Sequence, residues 1–125
     1  MSWVARNGGL SGSALNVNFI FIHPSTKFLP RLNHRLFIAT NGGVFHSRDG
    51  GVNWGQYSLP DPSNAEFADD PAATVDELTF HWVSFDNINA ATIFVLAAKT
   101  SALRIWIYKS VNSGQTWNSR GVLTV

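Results

Sequence analysis

Cysteine is absent from the 125 residues, which removes disulfides, thiolate nucleophiles and Cys-ligated zinc from consideration. Charge is scarce as well: nine basic and eight acidic residues leave a net +1, against a basic module for nucleic acid or an anionic membrane surface. Long apolar runs are missing. The richest, Ala90–Ala98, has nine residues and includes Thr92, whereas a helix crossing hydrocarbon needs about 20. The four histidines lie 11, 12 and 35 residues apart without a close pair, so no metal site is expected, and no motif implies a cofactor. No Asn-x-Ser/Thr sequon occurs, and Met1–Asn7 lacks a charged stretch ahead of an apolar core, so no secretory signal is read. A soluble chain is expected, its compartment left open, with an extracellular setting if it belongs to a larger secreted protein.

What is present is large and apolar. Hydrophobic residues make up 45% and aromatics 13%, with nine Phe and five Trp, enough to build a core and too much for a disordered tail. The length fits one domain, residues 1–125.

A repeat organises it. Ser47-Arg48-Asp49-Gly50-Gly51-Val52-Asn53-Trp54 aligns with Ser110-Val111-Asn112-Ser113-Gly114-Gln115-Thr116-Trp117, sharing Ser-x-(Asp/Asn)-x-Gly-x-x-Trp. Strand-like segments precede both copies: Gly43–His46 and Ile105–Lys109, and before them Arg35–Thr40 and Thr92–Ala97. Trp3–Leu10 resembles the segment beginning at Trp117, so Trp3 reads as the end of a box whose start is missing. The Trp-to-Trp intervals are 51 and 63 residues, and each holds four strand candidates, the content of one propeller blade. Repeat unit one is set at about 3–54, unit two at about 54–117, and the start of a third at 118–125. The predicted strands are 16–22, 35–40, 43–47 and 52–57, then 79–85, 92–98, 102–110 and 115–119. Residues 64–78 contain helix formers, but Pro71 limits them to a turn or short helix.

Between two strands, each box must reverse the chain. Asp49 can accept backbone N–H bonds, Gly50 and Gly51 permit angles closed to residues with a Cβ, Ser47 adds a hydroxyl at the base, and Trp54 covers the hairpin. Asn112 keeps the side-chain oxygen and loses the charge. A local cap survives that exchange; carboxylate chemistry would not.

This constellation resembles the Asp-box, or BNR, repeat of sialidase-type, xyloglucanase-like and sortilin-like β-propellers. The resemblance implies an all-β fold of about two four-stranded antiparallel propeller blades, a partial propeller, each blade with an Asp-box hairpin. It also implies a structural role for Ser47, Asp49, Gly51 and Trp54 and for Ser110, Asn112, Gly114 and Trp117, away from the substrate face. Sialidase activity is not expected, because Arg104-Ile105 is followed by Trp106 where that family carries proline, and the other arginines lack its context.

Six of the eight carboxylates, Asp61, Glu66, Asp69, Asp70, Asp76 and Glu77, fall between the units, giving the connector −6 against +4 and +3 on its flanks. Asp69 and Asp70 are the catalytic candidates, since a glycosidase needs an acid and a base or nucleophile about 5 to 9.5 Å apart. A solvated connector is the plainer reading. Trp82 and Trp106 are candidates for stacking on a sugar ring, with blade packing as the competing reading for each. Asn41-Gly42-Gly43 marks a tight turn, not a phosphate loop.

Two units are fewer than a closed propeller uses, so each outer face lacks a neighbour. A longer chain, a ring of copies, or two sheets face to face would cover them, and the mid-repeat start and stop favour a piece of something longer. The function expected is a non-catalytic scaffold or recognition module for a glycan or a protein, without nucleic acid or membrane. The alternatives are part of a xyloglucanase-like glycoside hydrolase and a structural assembly factor.

Overall fold

The chain is known from a computed structural model that describes residues 5–23, 26, 28–60, 75–86, 89, 91–99 and 104–124. Its regular structure is all-β apart from short 3-10 turns such as Gly12–Leu15 and Val75–Glu77. Strands β1 (Val17–Ile22), β2 (Leu36–Thr40), β3 (Gly43–Ser47) and β4 (Gly55–Gln56) form one four-stranded antiparallel sheet. Strands β5 (Thr79–Phe85), β6 (Ile93–Lys99), β7 (Arg104–Ser110) and β8 (Asn118–Thr124) form a second. Both are meanders in sequence order, the arrangement of propeller blades.

The β-branched and aromatic content of these segments explains the strands, and turn chemistry explains the reversals. At Asn41-Gly42, the Thr40 hydroxyl donates to the Gly43 carbonyl at 2.8 Å and accepts from the Gly42 N–H at 3.0 Å. Gly43 takes a φ of 137°, open only to glycine at low cost.

The registers place the two sheets in correspondence. Leu36 pairs with Ser47 as Ile93 pairs with Ser110, and Ile22 pairs with Leu36 as Phe85 pairs with Ile93. Each inner strand carries an irregularity at the same place, between Val17 and Phe19 in β1 and between Phe80 and Trp82 in β5. Such bulges increase local twist and free a residue from the ladder. At the first, Asn18 Nδ2 donates across to the Phe80 carbonyl at 2.8 Å, tying the sheets together.

The main core lies between the sheets. The rear face of the first, Phe37, Ala39 and Val44 with Phe19 and Phe21 beside them, packs against the front face of the second, Val83, Phe85, Ile93, Val95, Trp106 and Tyr108. Phe85 is central, with ring centroids 4.4 Å from Phe37 and 5.5 Å from Phe21. A smaller cluster on the front of the first sheet joins Ile38 and Phe45 to Ala14, Leu10 and Trp54. The first sheet is therefore covered on both faces over β2 and β3, which accounts for their nearly continuous burial.

Two strand bounds differ from expectation. The fourth strand of the first sheet is the pair Gly55–Gln56, and that of the second is Asn118–Thr124. Val52, Asn53, Gln115 and Thr116 belong to the reversals, because the side chain at the third box position holds the backbone four residues on. Residues 118–124, counted in the sequence as the opening of a third unit, pair with β7 and complete the second sheet. The outer strand of each sheet follows its box tryptophan.

Candidate functional site

The two boxes build matching hairpins between the third and fourth strands. In the first, Ser47 Oγ donates to Asp49 Oδ1 at 2.8 Å and accepts from the Gly51 N–H at 2.9 Å. Asp49 Oδ1 also accepts the Asn53 N–H at 2.9 Å, and Oδ2 accepts from Asn53 Nδ2 at 3.0 Å. In the second, Ser110 Oγ donates to Asn112 Oδ1 at 2.9 Å and accepts from the Gly114 N–H at 2.8 Å, while Asn112 Oδ1 takes the Thr116 N–H at 2.9 Å. The difference is confined to one atom. Asn112 Nδ2 donates to the Thr116 hydroxyl at 2.7 Å, where Asp49 accepts from an amide. Each acidic or amide residue is thus matched by a partner four positions later that supplies the complementary polarity.

The glycines are needed for their angles: φ is 90° at Gly51 and 89° at Gly114. Accepting bonds from Asn53 and Ser47 holds the Asp49 carboxyl down at about 2, ionised across the neutral range. Each reversal is tied back to its own sheet, through Gly50 N–H to the His34 carbonyl at 3.1 Å and Ser113 N–H to the Ala91 carbonyl at 2.9 Å. The tryptophans differ: Trp54 Nε1 donates to the Arg6 carbonyl at 2.8 Å, and Trp117 Nε1 to the Gly114 carbonyl at 3.0 Å. Every one of these groups is satisfied by its own turn or the neighbouring backbone. Their chemistry is that of clasps.

The opposite end of the strands is where a ligand could enter. There β2 turns into β3, the chain leaves β4, and the connector arrives at β5. A cleft of about 290 Å³ opens between the sheets at this end, lined by Gly42 and Gly43, by Gln56, Tyr57, Ser58 and Leu59, and by Val75 and Phe80. Gln56 Nε2 donates to the Gly42 carbonyl at 3.2 Å, leaving its amide oxygen and the Ser58 hydroxyl as polar groups of the lining. Burial pushes the Tyr57 phenol up to about 12, so it stays protonated. Its ring stacks on His46, centroids 4.5 Å apart, and meets Trp117 edge-on at 5.4 Å. Burial, then the charges of Arg48 and Arg35, lowers the His46 pKa.

The sequence-based candidates separate clearly. Asp69 and Asp70, with Asp61 and Glu66, lie outside the described residues. Glu77 forms an ion pair with Lys99 at 2.9 Å. Trp106 is a correction: at 0% exposure its ring is enclosed in the core between the sheets, so neither face is available to a sugar. Trp82 is 41% exposed and belongs to a different surface, an apolar patch with Phe94, Leu96 and Ile107 on the rear of the second sheet. Among the described residues, no three His, Asp or Glu side chains gather as a metal site would require. Sequence reasoning missed Gln56 and Ser58 as cleft residues. It also missed Asn53 and Thr116 as clasp partners, although both are polar and both stand four positions after the box acid or amide.

No protein-family model matches this sequence, and no curated protein does. Solved structures do. An ancestral GH74 enzyme superposes with a TM-score of 0.56 at 17% identity over 89% of this chain. The GH74 xyloglucanase from Xanthomonas campestris aligns over 92% of this chain at 12% identity with a TM-score of 0.34. The match spans 13% of the first enzyme's length and 23% of the second's. At such identity the likeness to the ancestral enzyme establishes architecture alone. The chain has a propeller-type fold, two successive four-stranded blades with the rear of one packed on the front of the next.

Proposed function

We propose that this chain is a non-catalytic recognition segment of an Asp-box propeller, binding a neutral glycan at the cleft between its two blades. The assignment of both hairpins as Asp-boxes is supported by their shared Ser-to-Trp pattern and by equivalent hydrogen bonds from Ser47 and Asp49 and from Ser110 and Asn112. The repeat units at about 3–54 and 54–117 belong to the same reading.

One observation carries the binding role. At the end away from the clasps, the cleft gathers the Gln56 amide oxygen, the Ser58 hydroxyl and backbone groups of Gly42 and Gly43 in one concave site. Sugars present hydroxyls around a ring edge, so a few convergent polar groups in a concave site suit them. Calorimetric titration with xyloglucan, cellulose and mannan oligosaccharides tests this. Binding that weakens about tenfold in Gln56→Ala or Ser58→Ala, the loss of a hydrogen-bonding partner worth about 1.4 kcal/mol, is expected, with folding retained. Absence of binding to every oligosaccharide removes the reading.

A second reading is favoured by the acidic connector together with the fold of the ancestral GH74 enzyme: a portion of a glycoside hydrolase acting on polysaccharide. Release of reducing sugar that vanishes in Asp69→Ala or Asp70→Ala would establish it in place of recognition. A scaffold that holds a protein is what remains if neither assay responds.

A further inference from the structure

We propose that copies of this chain associate head to tail, the rear of the second sheet on one copy receiving the front of the first sheet on the next. The inference stands apart from glycan binding and rests on an interface the chain already contains.

Registers identify the equivalent positions. Phe37 and Ala39 on the rear of the first sheet correspond to Phe94 and Leu96 on the second, and Val44 corresponds to Ile107. In the first sheet these residues are buried by a second blade. In the second sheet they line an open apolar patch together with Trp82, the counterpart of Phe19. The complementary half is open too. Val83 and Phe85, the front residues of β5 that enter the core between the sheets, are 0% and 7% exposed. Their counterparts in β1, Ile20 and Ile22, are 57% and 45% exposed. One chain therefore presents both halves of a contact whose formed version it carries inside, with the same kind of residue at each equivalent position.

Borders agree on the geometry. On the front of the first sheet, Leu10 and Ala14 already cover Ile38 and Phe45, which leaves the β1 half free. On the rear of the second, Lys109 Nζ stands 5.5 Å from the Phe94 ring centre and borders the patch on the β7 side. The rear patch thus spans β5 to β7 and the front patch lies on β1, matching the contact within the chain, where β1, β2 and β3 all meet β5. An all-apolar lining with no polar group fits another blade and is a poor match for a sugar. Because the two patches differ, the contact is heterologous and closes into a ring or extends, as the rotation per copy dictates.

Sedimentation velocity of the 125-residue chain over a wide concentration range is the test. The weight-average mass is expected to rise with concentration. Leu96→Glu, which blocks the rear, and Ile20→Glu, which blocks the front, should each remain monomeric. An equimolar mixture should form a one-to-one dimer and nothing larger, because one intact rear still meets one intact front. Circular dichroism confirms folding of both variants, and Phe94→Lys with Ile22→Lys repeats the experiment should either fail to fold. A wild-type chain that stays monomeric at all concentrations, a single variant that associates like wild type, or a mixture that stays monomeric overturns the proposal.

Discussion

The ring of Tyr57, on the segment leaving the first sheet, lies directly against Gly114 in the hairpin of the second, leaving no room for a Cβ there. Tyr57 stands three residues after Trp54, and Arg6 stands three residues after Trp3. Arg6 occupies the same relation to the first hairpin, its Cβ 3.8 Å from where a side chain on Gly51 would begin. The residue three positions beyond the preceding box tryptophan thus lies beside each hairpin glycine, pressed against it at Gly114 and in ordinary contact at Gly51, where Trp54 and Leu36 come closer.

Tyr57→Ala should cost about 2 to 4 kcal/mol, since it empties a space bounded by His46, Phe37 and Trp117. Gly114→Ala should cost at least about 1 kcal/mol, from a positive φ and the ring above it. Their effects should not add, because both break one contact. Urea denaturation of the two single variants and the double variant measures this.

Asp49→Ala should lower the thermal midpoint by removing acceptors for Ser47 and for the backbone and side chain of Asn53. Asp49→Asn should cost less, since the Asn53 amide can rotate to present its oxygen to the new Nδ2. Asn112→Asp should be close to neutral above pH 4, because the Thr116 hydroxyl can turn and donate. A thermal scan of the three variants that ranks Asp49→Asn no better than Asp49→Ala would show that charge, and not geometry, holds the turn.

Acid should act in two stages. The pKa values of His23 and His46 are lowered by burial first and by nearby arginines second, so the unfolded chain takes up their protons before the folded one does. Stability present above the free-histidine pKa near 6.5 should therefore decline as pH falls from 7 towards 5. Asp49, held at about 2 against 3.8 when free, adds a further decline between about pH 4 and 2. Denaturation midpoints measured from pH 8 to about 2 should show the first stage diminished in His46→Gln and the second diminished in Asp49→Asn.

Trp106→Phe should be destabilising without affecting any ligand, because the smaller ring leaves a cavity between the sheets, a cost partly offset by removal of an Nε1 that has no partner among the described residues. Trp82→Ala, which removes a half-exposed ring lying 6.0 Å from that of Phe19, should cost some stability and reduce self-association, read by the same sedimentation experiment.

Local relations were legible in the sequence. Every bond within a clasp spans two to four residues, so Ser47 with Asp49 and Ser110 with Asn112 declare a chain reversal wherever they occur between apolar strands. Segments rich in Ile, Val and Phe declared strands for the same reason, and six of the eight lie within two residues of expectation at either end. What the tertiary structure decided is everything that depends on which face of a strand meets another sheet. Trp82 and Trp106 are both tryptophans inside strands, and alternation alone says only that neighbours point to opposite sides. Only the stacking of the second sheet on the first encloses Trp106 and leaves Trp82 on an open patch. The cleft beside Tyr57 has the same origin, because it lies between residues more than twenty apart in sequence, Gly42 and Phe80 among them, that only the packed sheets bring together.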